Sequence, residues 1–208
     1  MPDCEGNTYV FFDTFIKTKK LALMKKNAIL LVLAILMAFT AQAQKFRGLD
    51  NSPRDIAYFP DNFAHDRKGD DKVFAKVSYS RPFAKDREIF GKLVPYGKVS
   101  RTGADEATEI TFYQDAKIAG KSVKAGTYSL FTIPNEKDWV IILNKDVDVW
   151  GAYKYKEAQD VLRVTVPVTS TSNDYAENFS IQFKSTGDKK GEMLMGWAKT
   201  LVAVPVSF

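Results

Sequence analysis

From Val73 to Phe208 the sequence alternates apolar and polar side chains with a period of two, segment after segment, and that period suits strands rather than helices. Val73, Ala75, Val77 and Tyr79 fall on one side of an extended segment, with Lys76 and Ser78 on the other. Ile110 and Phe112 alternate with Glu109 and Thr111. Leu162, Val164, Val166 and Val168 alternate with Arg163, Thr165 and Pro167, and Phe179, Ile181 and Phe183 with Ser180, Gln182 and Lys184. Successive side chains of a strand point to opposite faces, so each segment offers one face to a core and one to water. The run "WVIILN" from Trp139 is continuously apolar, as expected of a central strand. "AGTYSLFTIP" pairs a turn glycine, Gly126, with a strand ending at Pro134, and residues 193–197 and 202–208 alternate again. Pro205 favours an edge or a bulge in that last strand. The one candidate for a helical turn is "DREIFGKLV", where Gly91 would stop it. About eight short strands with Gly, Asn and Asp turns predict an all-β fold, an antiparallel β-sandwich that is partly jelly-roll-like.

The N-terminal part is of another kind. "MKKNAILLVLAILMAFTAQAQ", from Met24, carries two lysines, an apolar run from Ala28 to Phe39 and then Ala41-Gln42-Ala43, a small-x-small cleavage pattern. The run is short of the about 20 apolar residues that a membrane-spanning helix needs, so it reads as a secretory signal cut after Ala43. Met24 to Ala43 already fills a signal peptide, which makes Met24 the expected start and residues 1–43 an upstream extension plus signal. Residues 44–71, with "NSPRD", "FPDN" and "HDRKGDD", read as a polar arm, and 72–208 as a single sandwich domain. The expected product is exported, periplasmic or extracellular, with no membrane attachment after cleavage.

Charge and residue inventory exclude several classes of chemistry. The whole chain has a formal net charge of +5, and loss of residues 1–43 lowers it to +3, too mild to argue for nucleic acid or an anionic membrane. The single cysteine, Cys4, lies in the discarded part, which leaves no disulfide and no thiolate metal site. A serine or cysteine hydrolase needs a base beside its nucleophile, and the one histidine, His65, lies in the arm. One histidine and no retained cysteine also argue against zinc. "NKDVD" offers Asn144, Asp146 and Asp148, but the glycine and distal glutamate of an EF-hand are missing, so no metal and no cofactor is expected. No phosphate-binding glycine loop is present.

What remains is the polar run "PYGKVSRTGADEAT" at residues 95–108. If the strand holding Ile110 and Phe112 runs back without a bulge, its parity puts Thr108 and Glu106 on the core face. A carboxylate there needs a cation, and Arg101 is the nearest in sequence, with Arg81, Lys85 and Arg87 as a second basic group. An Arg101–Glu106 pair is either a brace for the loop or part of a site. The loop "VWGAYKY" adds Trp150, Tyr153 and Tyr155, whose rings, next to charged groups, suit a sugar or peptide pocket and equally suit a hydrophobic plug.

From about residue 72 to 208 the chain resembles a bacterial family known as domain of unknown function 2911. The resemblance rests on "YSRPFAKDREIFGKLVPYGKVSRTGADEAT", "AGTYSLFTIPNEKDWVIILNKD", "WGAYKY" and "DVLRV", in that order. It implies export and the β fold, and no activity. Ser100 stands where the family usually has Trp, which implies weaker stacking of any ligand beside the polar run, and Asp105 stands where it usually has Asn.

The functional expectation is a non-catalytic binding module for a small polar ligand (a sugar, peptide or carboxylate) or an envelope partner. Its site would be formed by Arg81, Arg101, Glu106, Thr108, Trp150 and Tyr153. The alternatives are a carboxylate-dependent enzyme, such as a glycoside hydrolase dividing acid and base work between Glu106 and Asp160, and a purely structural envelope protein. The oligomeric state is not legible.

Overall fold

The computed structural model describes residues 7–38, 45–61, 63–170 and 175–208. The chain divides into two compact units, Met1–Gly48 and Leu49–Phe208. In the first, helix α1 spans Asn7–Ala38. Among the described residues no helix is long and apolar enough to cross a membrane. Cys4 and the Ala41-Gln42-Ala43 cleavage pattern lie outside the described residues.

Among its described residues the second unit has eleven strands: β1 (Arg54–Phe59), β2 (Ala75–Ser80), β3 (Thr108–Phe112), β4 (Ala116–Ile118), β5 (Lys121–Val123), β6 (Gly126–Pro134), β7 (Asp138–Asn144), β8 (Asp160–Ser170), β9 (Ala176–Gly187), β10 (Lys190–Ala198) and β11 (Thr200–Ser207). A one-turn helix, α2 (Phe63–Asp66), follows β1. All pairings are antiparallel, in the order β1-β2-β3-β6-β7-β8-β11-β10-β9, with the β4–β5 hairpin attached to β11.

The all-β antiparallel expectation holds, with a refinement: the strands form one continuous sheet that rolls into a nearly closed barrel. Strand β8 makes this possible, since Asp160–Pro167 pairs with β7 and Val168–Ser170 with β11. The order β8-β11-β10-β9 is a Greek key, the feature that jelly rolls repeat. At the seam, Phe83 bridges Asn178, the Ala84 N–H donates to Glu177 O and the Phe179 N–H to Pro82 O. Side chains reinforce it. The Tyr79 hydroxyl donates to Ile181 O at 3.0 Å, and Arg81 reaches Asp55 Oδ2 at 2.9 Å and Ser180 Oγ at 3.0 Å.

The alternating residues point where their parity sends them. Ala75, Val77, Tyr79, Ile110, Phe112, Leu162, Val164, Val166, Phe179, Ile181 and Phe183 are all buried in one core. One end of the barrel is closed by phenylalanines: Phe59 stacks on Phe208 at 4.8 Å and meets Phe183 edge-on at 5.8 Å. The other end holds Phe90, Trp139, Phe179 and Trp197, with Phe90 4.9 Å from Trp139 and 6.2 Å from Trp197. Pro205 sits where β11 changes partner from β8 to β4. Its carbonyl accepts from Ala119, and the missing N–H falls in the gap between the two pairings.

Two local expectations are corrected. Residues 44–71 are not simply an arm, because Arg54–Phe59 pairs along its whole length with β2 and buries Phe59. "DREIFGKLV" forms turns instead of a helix: Gly91, at φ 91°, donates to Val94 O, and Phe90 turns inward onto the tryptophans.

Candidate functional site

The polar run owes its shape to a mismatch of strand lengths. β6 has nine residues and β3 only five, so β3 covers Gly126–Leu130 and leaves the far end of that edge open. Residues 97–100 take up this vacant edge. Ser100 exchanges hydrogen bonds with Thr132 at 2.7 and 3.1 Å, and the Gly97 N–H donates to Pro134 O at 2.9 Å. Between the two edge segments, residues 101–107 leave the sheet and return as a loop.

The loop is tied at its neck by buried threonines. Thr108 donates from its N–H to Arg101 O at 3.0 Å and from Oγ1 to Thr102 O at 2.5 Å. Thr102 donates from Oγ1 to Thr132 Oγ1 at 3.1 Å and from its N–H to Ser100 Oγ at 3.2 Å. The turn that this demands drives Thr102, Gly103 and Asp105 to φ values of 58°, 147° and 59°. Non-glycine residues in that region cost of order 1 kcal/mol each, so the sharp return is held by its surroundings.

A second loop completes the arrangement. The Ala107 N–H donates to Val149 O, the Gly151 N–H donates to Asp105 O, and Glu106 and Trp150 form an isolated bridge. Together the two loops cover the outer face of β6 and β7, burying Phe131 and Ile142 beneath Val99, Ala107, Val149, Ala152 and Tyr155. This is why "WVIILN" is apolar on both faces. The polar run and the aromatic loop meet here.

Where they meet the barrel's tryptophan end, an open cleft of about 660 Å³ is formed. Its walls carry three cations, Arg87, Lys98 and Arg101, against one carboxylate, Asp105, with Leu93, Val94 and Val99 as apolar surface and Tyr153 and Trp197 as aromatic surface. Arg87 is anchored through Nε to Ala84 O and through Nη2 to Phe83 O. Arg101 is half-buried, and among the described residues its guanidinium has no carboxylate partner. Gly151 makes room for it: a Cβ there would lie 3.4 Å from Arg101 Nη1 and 2.6 Å from the Tyr153 ring. Next to the cleft, and sharing Val94, Ser100, Gly103 and Trp197 with it, is a cavity of about 10 Å³ that Trp139 also lines. The Nε1 atoms of Trp139 and Trp197 are buried without a hydrogen-bond partner among the described residues.

The residues singled out from sequence fall in different places. Arg101 and Tyr153 line the cleft, Tyr153 at 81 % exposure. Thr108 is a neck residue, fully buried. Arg81 clasps the barrel seam and Trp150 stands 60 % exposed on the covering loop; neither lines the cleft. Glu106 is exposed and accepts from Arg54 Nη1 at 2.8 Å, so the expected buried pair with Arg101 does not form. The strand ends at Thr108 and Asp105 turns left-handed, which breaks the parity that would have aimed Glu106 at the core.

Asp160 belongs elsewhere. Its carboxylate, 7 % exposed, accepts from Asn144 Nδ2 at 2.7 Å and from the Tyr155 hydroxyl at 2.5 Å, with Arg163 Nε at 3.5 Å. Burial, together with the bond to Asp160, pushes the Tyr155 phenol far above its ordinary range. Asp160 is a braced group at the start of β8, not a cleft acid. Among the described residues no group of three or more His, Cys, Asp or Glu side chains is placed to hold a metal ion.

Sequence reasoning missed Lys98 and Trp197 as cleft residues, passed over Arg87 and left Asp105 out of the expected site. The signal for Lys98 was the Gly97-to-Gly103 spacing, which frames a loop entry. Trp197 was legible only as a buried strand residue, since nothing local tells which end of a barrel it reaches.

A small antiparallel barrel, plugged at one end and opening on a cation-rich cleft at the other, is the class of protein these features define. The chain belongs to the family described as protein of unknown function (DUF2911), whose profile matches residues 60–206. No curated protein and no solved structure matches it.

Proposed function

We propose that this chain is an exported, non-catalytic binding module whose cleft takes a small polar ligand. One observation carries the reading: the cleft of about 660 Å³ has three cations and one acid on its walls, together with aromatic and aliphatic surface. Ligand pockets combine apolar surface with polar groups that fix orientation, and in this cleft the polar groups make up at least as much of the wall as the apolar ones. Glycoside hydrolysis needs two carboxyl groups facing one bond about 5 to 9.5 Å apart. Glu106 is engaged by Arg54, Asp160 is buried among its own donors, and neither lines the cleft.

The test is a thermal-shift screen of sugars, short peptides and small carboxylates, repeated on Tyr153→Ala. A ligand at 100 times its dissociation constant stabilises by about 2.7 kcal/mol, a shift of about 5 to 11 °C for a chain of this size. The expected result is a saturable shift that Tyr153→Ala weakens, and a flat screen overturns the reading. Export rests on the Ala41-Gln42-Ala43 pattern. The intact mass of the protein recovered outside the cytoplasm should correspond to a chain beginning at Gln44, and a mass retaining residues 24–43 overturns that part.

A further inference from the structure

We infer that the ligand of this cleft is a compact organic anion, its oxyanion head held by Arg101 and Lys98 and its apolar body lying along Val99, Leu93 and the Tyr153 ring. The inference rests on the cleft being a binding site and adds the class of what it binds.

The arrangement of committed and uncommitted groups supports it. Elsewhere on the barrel exposed Arg54 has Glu106, and half-buried Arg81 and Arg163 have Asp55 and the Glu157–Asp160 pair, while exposed Arg87 is held by backbone carbonyls. Arg101 and Lys98 have none among the described residues, and both line the cleft. Arg101 is also held in position. It is half-buried, the glycine at 151 lets its guanidinium lie close to the backbone, and its own carbonyl is fixed by Thr108 at the neck of the loop. An oxyanion would supply the counter-charge this guanidinium lacks, through charge-assisted hydrogen bonds about twice as strong as neutral ones.

Trp197 lends the cleft ring surface only, since its indole N–H is buried away from solvent. On the acceptor side the cleft's charged group is Asp105 alone, and the Ser100 hydroxyl already receives the Thr102 N–H. A neutral sugar needs donors and acceptors in comparable number. A set of uncommitted groups dominated by donors fits a ligand made of acceptors, a carboxylate or a phosphate monoester. The aliphatic and aromatic walls then require a body with an apolar face.

The experiment is calorimetric titration of the full chain with phenylacetate, phenyl phosphate and the neutral phenylacetamide. The expected result is binding of at least one anion about tenfold or more tighter than the amide, weakening as salt is raised. Arg101→Met should reduce anion affinity about tenfold and leave the amide unchanged, with Arg101→Lys in between. Phenylacetate against phenyl phosphate separates the two oxyanion chemistries. Should Arg101→Met fail to fold, the amide comparison and the salt series on the unsubstituted protein still decide. Amide affinity equal to that of both anions, or binding of sugars with no salt dependence, overturns the anion class while leaving the cleft a binding site. Silence of all three probes overturns the inference, and only a flat broad screen overturns the site itself.

Discussion

Glu106 Oε2 accepts a hydrogen bond from Arg54 Nη1 at 2.8 Å, joining the tip of the 101–107 loop to the first residue of β1, 52 positions earlier in the chain. The same guanidinium reaches Ser78 Oγ on the neighbouring strand at 3.2 Å. The pair ties a loop to a strand yet is 40 % and 50 % exposed, so water screens it. Exposed pairs contribute roughly 0 to 1 kcal/mol. Arg54→Ala, Glu106→Gln and the double substitution should each change the urea midpoint little, with a coupling below about 1 kcal/mol. A coupling of several kcal/mol would show that the loop depends on this pair.

The Asp160 network should behave in the opposite way. Asp160→Asn leaves one oxygen where two donors, Asn144 Nδ2 and the Tyr155 hydroxyl, now find one each. A loss of about 3 kcal/mol or more is expected, because the carboxylate is nearly buried and its partners lose their acceptor. Unchanged stability in a folded Asp160→Asn protein would contradict the bracing role and reopen Asp160 as a functional acid.

Tyr155 gives the same network a pH signature. Its phenol is held above the ordinary value by burial first and by the bond to Asp160 second. The folded state thus keeps the proton that the unfolded chain releases near about pH 10. The resulting stability is fully present below that pH and is lost as the pH rises beyond it. Tyr155→Phe should cost about 1.5 to 3 kcal/mol at neutral pH and show a shallower loss between pH 9 and about 11, measured by denaturant midpoints across that range. Parallel losses in the two proteins would exclude the linkage.

Two loop glycines should separate stability from binding. Gly103, at φ 147°, faces Ser80 O, which a Cβ would approach to 3.0 Å, and backbone cannot swing aside. Gly103→Ala should cost about 1 to 3 kcal/mol. At Gly151, φ 66°, the nearest atoms are the Tyr153 ring and Arg101 Nη1, both at the ends of side chains. Gly151→Ala should cost only about 1 kcal/mol while displacing Tyr153 and Arg101, so its larger effect falls on cleft ligand affinity. Equal stability losses with unaltered affinity would show that those two side chains do not set the cleft.

Alternation in the sequence by itself determined the class of fold and the inward residues of most strands, because side-chain parity along a strand is local geometry and needs no knowledge of the partner. It likewise placed Thr108 with Ile110 and Phe112. The same rule failed two residues earlier at Glu106, where a left-handed Asp105 ends the regular backbone on which parity depends. Which residues formed the cleft was decided only by the tertiary structure. Arg87, Lys98, Arg101 and Trp197 come together because β6 outlasts β3, the loop between the two edge segments is thrown outward, and the sheet closes far enough to bring the end of β10 beside it. Strand length matching and barrel closure are properties of the whole sheet, set by which strands neighbour which, and no single segment carries that information.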